Sequence, residues 1–298
     1  MDINYELYKV FYYVATTLSF SEASKKLYIS QSAVSQSIKT LEGKLSQTLF
    51  IRSTKKVRLT AEGEILLRHI EPALSLIRRG ESQLLKSVTT GGQISIGASD
   101  TICRYFLVPY IERFHEAFPN LHIKIVNSTS IGCVDLLKSG QVDLIVVNYP
   151  NAYLNNLETV KRTRRFRDVF IAGNAYNYLR GSKLSFSELS EYPLLMLEKK
   201  STTSEFLHGL FQQHQLELVP EIELSSNDLL IDLARIGLGI AFVPDYCVPK
   251  DADDLFVINT HEQLPERELA VVYNDKLSLS PAVTTFLNYF ESLPSQNV

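Results

Sequence analysis

Gln31, Ser32, Ser35, Gln36 and Lys39 share one side of a short helical stretch, with Gln31 at its N-terminal tip. Small hydroxyls and amides, one cation and no carboxylate can bond base edges and phosphates without repulsion. That is the chemistry of a helix lying in the DNA major groove. An isolated polar helix face is more often simply solvated, so the flanking elements must decide. A second set of residues invites different chemistry. Ser99-Asp100-Thr101, Ser128-Thr129-Ser130 and Ser201-Thr202-Thr203 each follow an apolar run that reads as a strand and precede a helical one. In open α/β sheets, ligands sit beyond the carboxyl ends of strands, near helix N-termini. Each cluster alone is ordinarily a helix cap. Three at corresponding positions point to a polar site for an anionic group, built from hydroxyls and backbone N–H. Asp100 would repel a simple anion and suits an ammonium or hydroxyl of the ligand instead. Ile240, Phe242 and Pro244 are expected to supply an apolar wall.

The elements around the first set fix its setting. Ser30 has the hydroxyl of an N-cap, and Val34, Ile38, Leu41 and Leu45 form one apolar stripe that must face inward. Upstream, Leu7, Val10, Phe11, Val14, Ala15 and Leu18 recur at helical spacing. A short helix over about residues 21–27 follows. In it Ala23 is small enough to admit the next helix, Leu27 faces the core, and the turn YISQ separates the two. Downstream, FIRSTKKVRLT reads as two short strands around a basic turn, placing Arg52, Lys55, Lys56 and Arg58 where they could meet phosphate. The whole is a winged helix-turn-helix.

From Thr60, a plausible N-cap, a long helix is expected to about residue 88. Leu66, Ile70, Ala73, Ile77, Gly80 and Leu84 follow the 4-3-4-3-4 spacing of two helices packed side by side. Packing against its own chain fits the same spacing. Pro72 is expected to kink the helix or to start a new one, and Gly80 leaves a gap in the seam. Thr89-Thr90-Gly91-Gly92 reads as a hinge. Strands and helices then alternate. Strands are expected at 93–98, 121–127 and 142–147, with helices at 101–118 and 131–139. A second series has strands VFIAG, LLML, EIEL and GIAFVP, with helices at 186–190, 203–215 and 227–236. Strand RELAVVY and a helix at 280–292 return to the first subdomain. Repeated β-α-β units imply mostly parallel sheets with helices on both faces.

The net charge of −3 conceals a division. Residues 1–90 hold 13 Lys+Arg against 8 Asp+Glu, and residues 91–298 hold 17 against 25. A basic module on an acidic body suits a DNA-binding head whose remaining surface avoids the polyanion. No apolar run is long enough to span a bilayer and the N-terminus lacks a signal-peptide core, so a cytoplasmic location is expected. Cys103, Cys133 and Cys247 are isolated, without metal-ligand spacing, and read as buried free thiols. No GxSxG, HExxH or P-loop is present, so neither an enzyme, a metal nor a cofactor is expected.

The stretch SFSEASKKLYISQSAVSQSIKTLEGKLSQTLFIRSTKKVRLTAEGEILL resembles the N-terminal signature of the LysR-type transcriptional regulators. The match runs through Phe20, Ala23, Leu27, Ser30, Gln31, Ser35, Ile38, Leu41, Glu42, Leu49, Phe50, Arg52, Leu59, Thr60, Gly63 and Glu64. Ser32 stands where many members have proline, a small departure. The resemblance extends to the length and order of the rest. It implies a winged helix-turn-helix at 1–59, a dimerising linker helix and hinge at 60–90, and a two-lobed α/β effector domain like periplasmic binding proteins at 91–298. Lobe I would hold about 91–161 and 267–298, and lobe II about 162–266. The cleft between the lobes would be lined by Ser99, Asp100, Thr101, Thr129, Ser130, Ser201, Thr202 and Thr203. The implied partners are double-stranded DNA bearing an interrupted inverted repeat, a small-molecule effector, further copies of the chain as dimer and tetramer, and RNA polymerase. Some members sense peroxide through a cysteine pair in the C-terminal domain, a role these isolated cysteines do not favour. The alternative is a solute-binding sensor acting through a protein partner. It would leave the Gln31–Lys39 face without a purpose. A small-molecule enzyme is a distant third.

Overall fold

The computed structural model describes residues 3–52, 56–86, 92–154, 159–249, 252–274 and 279–292; of residues 52, 79, 82–86 and 292 it describes the backbone alone. The chain divides into two compact units.

The N-terminal unit comprises α1 (Tyr5–Thr17), α2 (Phe20–Leu27), α3 (Gln31–Leu45), the strands β1 (Phe50–Arg52) and β2 (Val57–Leu59), and α4 (Ala61–Lys86). Side-chain caps start the first three helices. Asn4 accepts from the Glu6 N–H, Ser19 from that of Glu22, and Ser30 from that of Ala33. Each ends in a left-handed residue, Leu18, Tyr28 and Ser46. Leu18 therefore does not continue the stripe of α1; it is its C-cap and is exposed. Phe11, Val14, Ala23, Val34, Ile38 and Leu41 are buried together with Leu49 and Phe50. The Glu42 carboxylate accepts from the N–H groups of Leu49 (2.8 Å) and Phe50 (3.3 Å), fixing where the β1–β2 hairpin leaves α3. A Cβ at Gly63 would lie 2.3 Å from the Leu49 carbonyl oxygen, so only glycine lets α4 approach there.

Thr60 caps α4 as expected, its Oγ1 accepting from Gly63 N–H at 3.0 Å. The helix runs unbroken through Pro72 and no new helix starts there. The expected seam is divided. Leu66 and Ile70, with Leu67, pack into the head's own core, while Ala73, Ile77 and Gly80 are exposed beside Leu76. The side chain of Leu84 and the hinge residues 89–91 lie outside the described residues.

The second unit holds two sheets. In chain order the elements are β3 (Gln93–Ala98), α5 (Asp100–Ile102), a π-helical turn at Cys103–Leu107, α6 (Val108–Ala117), β4 (His122–Asn127), α7 (Ser130–Lys138), β5 (Leu144–Tyr149) and β6 (Thr159–Phe166). There follow β7 (Asp168–Gly173), β8 (Lys183–Leu184), α8 (Phe186–Leu189), β9 (Leu194–Leu197), α9 (Thr202–Gln213) and β10 (Ile222–Leu224). Last come α10 (Asn227–Arg235), β11 (Ile240–Pro244), β12 (Leu255–Thr260), β13 (Arg267–Tyr273) and α11 (Pro281–Ser292). Lobe I is the sheet β4-β3-β5-β13-β6 and lobe II the sheet β10-β9-β11-β7-β12-β8. Alternate residues of one strand enter different cores. Leu144 and Val146 face one side of the first sheet, Ile145 and Val147 the other. Leu194 and Met196 oppose Leu195 in the second. Helices therefore cover both faces, as the apolar strands require.

The sheets are mostly parallel, as expected, with one reversed strand in each. β13 runs antiparallel to β5 and β6, and β7 antiparallel to β11 and β12. The crossing strands enter each sheet from the other lobe and so reverse its sense. The strands β6, β8 and β12 were not expected. TVKRTRRF, the sequence of β6, carries no apolar alternation because it is an edge strand with long cationic side chains. The first lobe's sheet extends to Phe166, past the expected boundary at 161, and Arg167 alone separates it from β7.

Candidate nucleic-acid interface and interlobe cleft

On α3, Val34, Ile38 and Leu41 are buried, whereas Gln31, Ser32, Gln36 and Lys39 are exposed and Ser35 is half-buried. The helix thus keeps its polar face open because its apolar face is fully used. Ser30 and Ser32 share a hydroxyl–hydroxyl hydrogen bond of 2.9 Å, so the residue standing where proline is common joins the cap. The hairpin brings Arg52 and Val57 into register beside α3's exit; Lys56 and Arg58 are exposed next to it. Lys55 and the side chain of Arg52 lie outside the described residues. Arg78 of α4 donates to the Tyr13 hydroxyl at 3.1 Å and lies over the Tyr12 and Tyr13 rings, tying α4 to α1.

Between the lobes lies a cavity of about 430 Å³. All eight residues expected there line it: Ser99, Asp100, Thr101, Thr129, Ser130, Ser201, Thr202 and Thr203. Pro244 lines it too, but Ile240 and Phe242 do not. Both are buried in the core of lobe II, where Phe242 meets Phe170 at a ring distance of 4.7 Å. Their side of β11 belongs to α9's packing face, which strand alternation alone does not reveal.

The hydroxyls are helix caps first. Ser99 Oγ accepts from Ile102 N–H (3.3 Å), Thr129 Oγ1 from Gly132 N–H (3.1 Å), and Ser201 Oγ from Ser204 N–H (3.0 Å). A fourth cap, overlooked in the sequence, completes the set: Ser226 Oγ accepts from Leu229 N–H at 3.4 Å, and Ser225, Ser226 and Asn227 line the cavity. The same hydroxyl-before-helix pattern would have revealed it. A hydroxyl that accepts in a cap still has its proton to donate. The N-terminal turns of α7, α9 and α10 open on the same space, with the partial positive charge of unsatisfied N–H groups. No lysine or arginine is among the lining residues; the carboxylates are Asp100 and Glu198, both exposed.

Among the described residues, side-chain hydrogen bonds of five residues cross between the lobes. Asn148 Nδ2 donates to Thr202 Oγ1 (3.2 Å) and Asn227 Nδ2 to Thr101 Oγ1 (3.0 Å). Tyr105 Oη donates to Asp228 Oδ1 (2.5 Å), and Tyr153 Oη to Glu205 Oε1 (2.7 Å). The fifth is Arg267, fully buried at the start of β13. It donates to Asp168 Oδ2 (2.7 Å), the first residue of β7, and to Thr203 Oγ1 (3.2 Å). Its guanidinium lies over Phe166 and Phe206. Burial pushes the Asp168 carboxyl above its ordinary range, opposed by Arg267. One cation thus joins both crossings to a threonine of the cleft.

Burial disfavours the nucleophilic thiolate at all three cysteines. Burial holds Cys103 at about 11 and Cys133 at about 12, and raises Cys247 further. Among the described residues, no cluster of three or more His, Cys, Asp or Glu could hold a metal ion, and no helix is long and apolar enough to cross a membrane.

Comparison with known proteins agrees with this arrangement. Residues 5–64 match the family of bacterial regulatory helix-turn-helix proteins of the lysR family, and residues 88–294 match the LysR substrate binding domain. The chain belongs to the LysR family. A probable RuBisCO transcriptional regulator of Phaeodactylum tricornutum is 27% identical over 293 residues, covering 95% of this chain and 94% of that protein. The HTH-type transcriptional activator CmpR of Synechocystis is 25% identical, covering 95% and 93%. The crystal structure of full-length CbnR complexed with its target DNA superposes with a TM-score of 0.66 at 17% identity, over 97% of this chain and 99% of CbnR. The regulatory domain of Synechocystis CcmR in complex with 2-PG has a TM-score of 0.60 at 20% identity, over 66% of this chain and 95% of that domain. This LysR protein is therefore a DNA-binding transcriptional regulator with an effector-binding domain. Its class is regulatory, and the reading as a sensor without DNA binding is not favoured.

Proposed function

We propose that this regulator reads an interrupted inverted repeat through paired α3 helices, and that a small anionic or zwitterionic metabolite held between the lobes tunes that binding. Gln31, Ser32, Ser35, Gln36 and Lys39 face the bases and adjoining phosphates, and the basic hairpin, with Arg52, Lys55 and Lys56, grips the backbone. The observation that carries the DNA reading is the open, carboxylate-free face of α3 opposite a fully buried stripe. The effector reading is supported by the convergence of hydroxyls and helix N-termini on one cavity. CcmR's regulatory domain is described with 2-PG, and an anionic ligand for this cleft is consistent with that. Ile65, Leu76 and Ile77 are large exposed apolar residues of α4 and favour a dimer through this helix, with dimers joined into a tetramer by the effector domains and RNA polymerase as a further partner.

The test is selection of duplexes from a random pool by the full-length protein, followed by anisotropy titration against the selected and scrambled sequences. A two-half-site consensus bound far more tightly than its scramble supports the reading. Equal affinity for both would sink it. Calorimetric screening of organic acids against amino acids tests the effector, with Thr202→Val deleting one hydroxyl. An uncharged apolar best ligand would overturn that part.

A further inference from the structure

Asn148 and Asn227 are arranged reciprocally. Asn148 sits on β5 of lobe I and sends its amide N–H to Thr202 of lobe II; Asn227 opens α10 of lobe II and sends its own to Thr101 of lobe I. Both side chains line the cavity, and their exposures of 9% and 4% place them beyond nine-tenths burial. In both, the amide oxygen is shielded and has no hydrogen-bond partner among the described residues. A buried amide with its acceptor unmet is disfavoured relative to an apolar side chain of the same shape, so packing does not explain either residue. What each amide does make is one bond, across the cleft, to a threonine hydroxyl.

That bond keeps the hydroxyl proton away from the amide and leaves it free to point into the cavity. Thr101 and Thr202 each spend one of two lone pairs on the amide N–H, and each still has its O–H to donate toward the cavity. Accepting one hydrogen bond strengthens the next one donated, and the effect is greatest where water is excluded.

We infer that Asn148 and Asn227 are positioning residues for the effector. They orient the Thr202 and Thr101 hydroxyls as donors and thereby select a ligand that presents an acceptor oxygen to each lobe. An anion held by both threonines completes two chains, Asn148 to Thr202 to anion and Asn227 to Thr101 to anion, and each chain crosses the interface. Ligand charge and lobe closure are then one event, because the bonds that polarise the hydroxyls are the bonds that join the lobes. The inference rests on the effector reading of the cleft.

Sulfate is the probe: it is fully ionised from pH 5 to pH 9, and it accepts without donating. Binding to the full-length protein is followed by calorimetry and by the shift in melting temperature, alongside a panel of organic acids. Asn148→Asp and Asn227→Asp keep the shape but replace the donor by a carboxylate, and each should weaken sulfate binding by about tenfold or more at pH 9. Buried beside an anion, the new carboxyl should titrate above its ordinary range, so that lowering the pH to 5 restores an O–H donor and affinity returns toward that of the natural protein. Asn148→Leu and Asn227→Leu should lose affinity at both pH values. Circular dichroism and a cooperative melting transition of each variant without sulfate confirm that the effector domain folds. Aspartate variants that bind as tightly as the natural protein at pH 9, or weakly without recovery at pH 5, overturn the positioning role and leave the effector reading standing. If neither sulfate nor any organic acid binds the natural protein, both fall.

Discussion

Gln36 and Lys56 are both exposed polar residues of the head, yet they should fail differently when removed. Gln36→Ala deletes base-edge bonds, costing roughly 1–3 kcal/mol and relaxing preference at one operator position. Lys56→Ala should weaken binding to every sequence and reduce the salt slope by about one unit. Competition between specific and scrambled duplexes separates the two, and equal losses on both duplexes for Gln36→Ala would remove it as a base reader. Arg267 poses a different problem. Its guanidinium and the Asp168 carboxylate are buried together, and Asp168 Oδ1 has no hydrogen-bond partner among the described residues. Arg267→Met should leave a buried carboxylate uncompensated and destabilise the effector domain by about 3–5 kcal/mol. Denaturant unfolding measures this, and the double variant Arg267→Met with Asp168→Leu should recover much of the loss. The cysteines yield a third expectation. With Cys103 held at about 11 and Cys133 at about 12, iodoacetamide at pH 8 should modify the native chain slowly and the unfolded chain fast. Rapid native labelling, followed by mass spectrometry, would show that these thiols are open to chemistry.

At the scale of elements, α4 shows why a heptad-like spacing is ambiguous. The spacing is real, but its first two members, Leu66 and Ile70, serve the head, and only the later exposed residues remain for another copy. A charge at Leu66 would therefore damage the head's core rather than test assembly. Leu76→Glu with Ile77→Glu is the appropriate variant, since both side chains are exposed in the single chain. Light scattering should show loss of the α4-mediated dimer, and DNA affinity should fall because two heads no longer bind as one unit. Unchanged mass and affinity would place the interface elsewhere. The helix-turn-helix was legible almost residue by residue, because caps, stripe and turn are all local signals. Only Leu18 was misassigned; its spacing continues the stripe of α1 although the backbone has already turned left-handed.

For the whole molecule, regulation requires that the effector prefer one arrangement of lobes and heads. Binding linkage then fixes a symmetry. Whatever factor an effector applies to operator affinity, the operator must apply to effector affinity, with typical factors of about 5–150. Titrating the natural protein with operator at saturating effector, and with effector at saturating operator, should give matching factors. Arg267 joins both interlobe crossings to Thr203 in the cleft, so Thr203→Val should reduce this coupling more than it reduces operator affinity measured without effector. A variant with full coupling would show that the cleft communicates by another route.

The sequence by itself determined most of the elements, the head's fold, the polar face of α3 and three of the four hydroxyl caps. Each of these follows from residues within a turn or two of one another: a cap hydroxyl, a 3.6-residue stripe, a strand end before a helix. The tertiary structure alone decided what depends on distant partners. It set the reversed sense of β7 and β13, the strands by which the chain crosses from one lobe into the other. It placed Ile240 and Phe242 in a core instead of the cleft, because alternation along a strand does not say which face meets solvent. It paired Asn148 with Thr202, Asn227 with Thr101 and Arg267 with Asp168, contacts spanning 54 to 126 residues of sequence. Local patterns specify which groups a segment offers; only the closed fold brings an amide from one lobe within reach of a hydroxyl on the other.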